Sequence, residues 1–223
     1  MLLLLLVVQL SGSAQQITYA EWQEEAKTNI RLLPKYGNAV KTPGQKEADE
    51  ELILKCLKTD GTRRLASEHL YSLGFKYLEK KDVRTAMYRF NQAWLLDSNN
   101  ENAYQGFGAV YCWFNDSRAA LKQIDMGLAI NPQSVGLLCD KAVLYLNEFE
   151  KKEEKEKLEK ASEMLLTASK VDPGNKYVTD KLALCNFYKS YCRKALEYVL
   201  LNKESYESFN EEFRKKLESI CGK

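Results

Sequence analysis

The sequence predicts an all-α protein, a solenoid of helix-turn-helix units with a helical segment before it and a capping helix after it. Three observations predict this. A 34-residue block repeats, so that Leu70, Leu73, Gly74, Tyr77, Ala86, Phe90 and Ala93 are matched by Tyr104, Phe107, Gly108, Tyr111, Ala120, Ile124 and Gly127, with Pro132 closing the second block. Apolar residues elsewhere recur at helical spacing. Prolines number only four in 223 residues, which suits a mostly helical chain because each proline removes a backbone donor.

Composition sets the first limits. A 29% charged, 45% hydrophobic chain is ordinary for a soluble globular protein. The 33 basic and 31 acidic side chains leave a net charge of +2, no electrostatic footprint for nucleic acid or an anionic membrane.

From the N-terminus, Leu2 to Leu10 form a nearly uninterrupted apolar run, and Ser11-Gly12-Ser13-Ala14 supplies small residues before Gln15. This pattern fits an export signal over 1–14, cleaved after Ala14, and the run is too short to span a bilayer. The expected location is therefore periplasmic or extracellular, with no stable membrane insertion after cleavage. The first cysteine is Cys56, so no lipid-anchoring motif follows the run. No Lys or Arg precedes the run, a departure from the usual pattern that leaves Met1 open as the true start.

Residues 15–66 form an N-terminal helical segment. Thr18-Tyr19-Ala20-Glu21 reads as a capping box, and Trp22, Ala26, Ile30 and Leu33 behind it predict a helix over about 19–33. Pro34, Gly37, Pro43 and Gly44 predict a loop. Ala48, Leu52 and Cys56 then carry a second helix over about 47–58, ended by Asp60-Gly61. The segment is either a degenerate cap or a strap folded back onto the array.

The array spans 67–203, in units 67–100, 101–134, 135–175 and 176–203. Turns at 96–100 and 130–133 end the first two units, and Gly74 and Gly108 stand where helices must approach closely. In the third unit Ala142 and Ala161 are seven residues too far apart, which adds about one turn to each helix. The added stretch, 148–160, is dense in Glu and Lys with four-apart pairs Glu153/Lys157 and Glu156/Lys160; it reads as a hairpin projecting into water, or as a charged docking knob. Leu182, Ala183, Ala195 and Val199 mark the fading fourth unit. Over 204–223, Tyr206, Phe209, Phe213, Leu217 and Ile220 lie on one stripe of a capping helix.

The period and residue classes of 67–133 resemble the tetratricopeptide repeat. The resemblance implies a right-handed superhelix whose units bury their apolar faces only by stacking. It also implies a concave groove lined by the first helix of each unit. Carried over position by position, the lining is Glu68, Tyr71, Phe75, Leu78 and Glu79, then Asn102, Gln105, Ala109, Cys112 and Trp113, then Gly136, Cys139, Val143, Leu146 and Asn147. The Lys and Arg clamp that grips chaperone tails in this family is absent at these positions. The implied function is binding of a protein or peptide partner, with Tyr71, Phe75 and Trp113 as anchors and Asn102, Gln105 and Asn147 as hydrogen-bonding groups. Whether the N-terminal segment fills this groove stays open. One rival is an envelope-complex subunit or toxin-neutralising protein that binds through the convex face or the 148–160 hairpin. Another is an enzyme or small-molecule receptor, which requires convergent polar groups and a perturbed titrating group that the sequence does not display.

No catalytic constellation, cofactor motif or metal pattern is legible. His69 stands alone, without a paired nucleophile or carboxylate motif. Gly106-Phe107-Gly108 lacks the strand and third glycine of a dinucleotide loop and reads as packing. The pairs Glu50-Glu51, Glu153-Glu154 and Glu211-Glu212 diverge by about 100° on a helix and share no site. Six cysteines, Cys56, Cys112, Cys139, Cys185, Cys192 and Cys221, show no C-x-x-C spacing. Cys185 and Cys192, nearly equidistant from one turn, form the best disulfide candidate, and buried thiols are the alternative.

Overall fold

The computed structural model describes residues 17–201 and 211–221. The expected signal at 1–14, and Tyr206 and Phe209 of the capping stripe, lie outside the described residues. The described chain is helical, with no strands among the described residues: α1 (Tyr19–Ala26), α2 (Pro43–Asp60), α3 (Arg63–Glu79), α4 (Val83–Leu96), α5 (Glu101–Trp113), α6 (Ser117–Ile130), α7 (Val135–Lys152), α8 (Lys155–Val171), α9 (Lys176–Tyr188), α10 (Cys192–Leu201) and α11 (Glu211–Cys221).

Four antiparallel hairpins, α3/α4, α5/α6, α7/α8 and α9/α10, stack in sequence order, each second helix packing on the next first helix. Successive first helices also touch, α3 with α5 and α5 with α7. That puts the first helices on the inner side of the curve and the second helices outside. The hairpin turns repeat as well. Lys81, Asn115 and Ser190 each adopt positive φ, near 60°, and Asp82 and Asp116 then cap α4 and α6 by accepting from Thr85 N–H and Ala119 N–H at 3.0 and 2.9 Å.

The lengthened third hairpin divides its extra residues between both helices. α7 has 18 residues against 13 in α5, and α8 has 17 against 14 in α6. Its tip is charged and self-paired, with Lys157 Nζ 2.6 Å from Glu148 and Lys160 Nζ 2.5 Å from Glu156.

The packing glycines have a specific neighbour. A Cβ on Gly74 would lie 2.3 Å from Phe90 Cε1, and one on Gly106 would lie 2.2 Å from Phe90 Cδ1. The fully buried Phe90 ring is thus sandwiched between the backbones of α3 and α5, so any side chain there must displace it. Gly108 instead faces Ile124.

The N-terminal segment differs from the expectation in two places. α1 starts at the expected capping box, where Thr18 Oγ1 accepts from Glu21 N–H at 3.3 Å and Glu21 Oε2 accepts from Thr18 N–H at 2.8 Å. It stops at Ala26 instead of continuing to 33. Beyond α1, buried Asn91 of α4 donates to the carbonyls of Arg31 and Leu33 at 2.8 and 2.9 Å and accepts from Tyr36 N–H at 3.2 Å, fixing the path of the non-α-helical strap that takes the place of the expected last turns. Residues 35–38 then turn left-handed, with φ between 53° and 65°. α2 begins at Pro43, earlier than expected, because Thr42 and Gln45 make a second capping box and proline suits the first helical turn.

Both readings of the segment hold, each for one half. α2 caps the N-terminal end, with Ile53 and Cys56 against Ala66, Leu70, Ala93, Leu96 and Ala103. Residues 17–38 fold back onto the outer helix α4, burying Trp22 and Leu32 with Met87 and Phe90. Tyr19 stacks on Phe114 with centroids 5.0 Å apart and donates to Asp116 at 2.7 Å, fastening α1 to the α5–α6 turn.

At the other end, α11 packs on α10. Phe213 and Leu217 are buried against Ala183, Ala195 and Val199, while Ile220 is 61% exposed and so leaves the expected stripe. The disulfide is Cys192–Cys221, not Cys185–Cys192. Cys185 faces back into the core of the third and fourth hairpins with Leu158 and Leu182, whereas Cys192 joins the core under α11. Two cysteines that serve different cores cannot bond across the turn. Cys56, Cys112, Cys139 and Cys185 are free thiols.

Candidate functional site

The inner helices α3, α5, α7 and α9 present the residues that the repeat positions select. Tyr71, Phe75 and Leu78 on α3 are half-buried; so are Asn102, Gln105, Ala109 and Trp113 on α5, and Val143 on α7. Cys112 and Asn147 are exposed. Leu146 departs from the expectation. It is 3% exposed and belongs to the α7–α9 core with Leu158, Leu165 and Leu182, so it is floor and not contact surface. Cys139 is likewise buried. The aromatic anchors are anchored themselves: Tyr71 meets Phe75 edge-on at 5.1 Å, and Phe75 meets Phe90 at 5.3 Å.

The N-terminal segment packs chiefly on α3 through α2, on α4 through residues 30–38, and on the α5–α6 turn through Tyr19 and Trp22, and its Trp22, Ala26 and Leu32 belong to the same core as Tyr71, Phe75, Leu78 and Trp113. Towards the C-terminal end the inner face opens into a cleft of ≈ 1270 Å³, whose lining includes Val143, Asn147, Asp180, Lys181, Tyr188 and, from α11, Phe213.

One polar chain crosses the inner face. Tyr71 Oη donates to Gln105 Oε1 at 2.7 Å, and Gln105 Nε2 donates to Asp140 Oδ2 at 2.8 Å, so consecutive members on α3, α5 and α7 are 34 and 35 residues apart. Gly136 makes room for it: a Cβ there would lie 2.9 Å from Gln105 Nε2.

Asp140 is the residue that the repeat positions missed. The carry-over selects Cys139, and the third unit presents its polar group one residue later. The available signal was the pair of hydrogen-bonding residues Tyr71 and Gln105 at one repeat position, which calls for a third. Burial pushes the Asp140 carboxyl above its ordinary range, and the bond from Gln105 offsets this only in part. The inner face therefore does hold a perturbed titrating group, contrary to the expectation from sequence. Neighbouring groups respond to burial first and to the Asp140 charge second: Tyr71 is pushed up to about 12, and Cys112 and Cys139 to about 11. These thiols are poor nucleophiles. His69 stands on the exposed side of α3, 3.0 Å from Asp60.

Among the described residues no cluster of three His, Cys, Asp or Glu is placed to hold a metal ion. No described helix is long and apolar enough to cross a membrane.

Neither a protein-family model nor a curated protein matches the sequence. Solved structures do. That of Pseudomonas aeruginosa PilF aligns over 72% of this chain and 77% of its own, with 19% identity and a TM-score of 0.54. A MamA structure aligns over 76% of this chain and 98% of its own, with 19% identity and a TM-score of 0.49. YrrB, described as a TPR protein with an unusual peptide-binding site, aligns over 90% and 92%, with 16% identity and a TM-score of 0.45. The likeness to PilF is one of fold, and with the stacked hairpins it defines a protein of tetratricopeptide-like, helical-repeat architecture.

Proposed function

We propose that the protein is a non-catalytic binding module that takes an extended segment of a partner protein along its inner face. What supports this is that residues 17–60 pack mainly against α3 and α4, at the end and outer side of the array, while Tyr71, Phe75, Ala109 and Trp113 of the inner helices keep partly exposed surface. Half-buried Tyr71, Phe75 and Trp113 offer apolar surface on a rigid support, the usual make-up of a contact site. Asn102 and Asn147 supply hydrogen bonds at either side. The 148–160 hairpin is the weaker rival, since several of its charges are already paired, Lys157 with Glu148, Lys160 with Glu156 and Glu159 with Lys189.

Selection of random unconstrained peptides against the protein tests the reading. Resynthesised peptides should lose at least about tenfold in affinity on Trp113→Ala and on Ala109→Arg, which fills the inner face, and should bind Lys157→Ala unchanged. Peptides that bind all three variants equally would overturn it, provided circular dichroism shows the variants folded.

Export is part of the same proposal. The Cys192–Cys221 disulfide supports an oxidising compartment. The full chain, recovered from expressing cells and sequenced from its N-terminus, should begin at Gln15; a mature protein that keeps 1–14 overturns that part.

A further inference from the structure

The inner face carries one carboxylate that its aromatic lining alone does not reveal. Asp140 stands on α7, the third of four inner helices, and accepts a hydrogen bond from the neutral amide of Gln105. Among the described residues no Lys, Arg or His pairs with it. The nearby cations are engaged elsewhere: Lys141 pairs with Asp125 at 2.7 Å, and the Lys181 ammonium lies over the Tyr177 ring at 5.3 Å. A carboxylate so placed costs stability unless a cation or further donors meet it. Gln105, held by Tyr71 and given room by Gly136, aims one amide hydrogen at Oδ2 and keeps the carboxylate in a fixed position.

We propose that Asp140 is the specificity-determining residue of the inner face and receives a lysine or arginine side chain of the bound segment. The proposal rests on the inner-face reading above. Charge complementarity chooses the occupant: the missing partner of a half-buried carboxylate near the Tyr71 and Tyr177 side chains is a cation whose alkyl stem covers apolar surface. Position chooses its source. With inner helices on both sides of α7, an extended segment crosses Asp140 in mid-course, so an internal side chain reaches it before a chain terminus does.

The test uses peptides selected on the full protein and resynthesised with their cationic residue intact or replaced by an isosteric neutral one, norleucine for lysine or citrulline for arginine. Wild-type protein should prefer the cationic peptide by at least about tenfold, the scale of a desolvated charge pair. Asp140→Asn, which keeps the acceptor for Gln105, should bind both forms with nearly equal affinity, so that the two changes are not additive. N-terminal acetylation of the peptide should change nothing.

Three results would overturn the inference while the inner-face reading stands: selected peptides without Lys or Arg that Trp113→Ala still weakens, additive losses in the double-mutant cycle, or loss of binding on acetylation alone. Peptides insensitive to Trp113→Ala, Ala109→Arg and Asp140→Asn would remove both the inference and the reading beneath it. Unfolding midpoints of the variants keep a folding defect from being read as lost recognition.

Discussion

The Gln105 amide donates to the Asp140 carboxylate at 2.8 Å, joining the second and third inner helices through side chains. Because Gln105 also accepts from Tyr71, one amide orders three repeats at once. The link is polar, with Oδ2 of the carboxylate as its acceptor.

Asp140 makes stability depend on pH in a direction unusual for a carboxylate. Its folded pKa is raised by burial above the ordinary 3.8, so the folded chain holds that proton more tightly than the unfolded chain does. The stabilising contribution of the protonated form is complete below about pH 3.8 and is lost as pH rises through the folded pKa. Asp140→Asn should therefore be more stable than wild type at pH 7, and urea titrations should show the gap closing as pH falls towards 4.

Phe90 is packed directly against two glycines, Gly74 and Gly106. Gly74→Ala and Gly106→Ala each place a methyl within 2.3 Å of a ring that is fully buried. Each should cost about 1–3 kcal/mol in chemical denaturation, and Phe90→Leu should relieve part of the loss. Gly44→Ala, with nothing within 4 Å of its Cβ, is the neutral control.

Asn91 holds the N-terminal strap. Asn91→Ala removes three hydrogen bonds to residues 31, 33 and 36 and should cost about 1–3 kcal/mol. The loss should be local: hydrogen exchange should rise over 28–41 and stay unchanged over α7–α9.

The Cys192–Cys221 bond closes a separation of 29 residues. By the chain-entropy account, Cys192→Ala should lower stability by about 3–4 kcal/mol. In a stacked array the loss falls on the end that the bond staples, so limited proteolysis should release α11 first. Cys185, buried with its thiol pushed up to about 12, should resist alkylation in the folded protein before and after this change.

The sequence by itself determined the class and order of the elements. A 34-residue period, capping residues at fixed offsets and glycines at close approaches are local signals, and the hairpins form where those signals lie. The extra turn in α7 and α8 followed from counting residues. What only the tertiary structure decided was what each element meets. The strap after α1 takes its path from Asn91, some sixty residues away, which binds the carbonyls of Arg31 and Leu33. Cys192 bonds Cys221 because Cys185 turns into the core of the third and fourth hairpins while Cys192 lies in the core under α11. Asp140 became the polar centre of the inner face because the third repeat presents its side chain one position late. In each case the deciding partner is remote in sequence, and a pattern read along the chain carries no information about which distant group is near enough to compete.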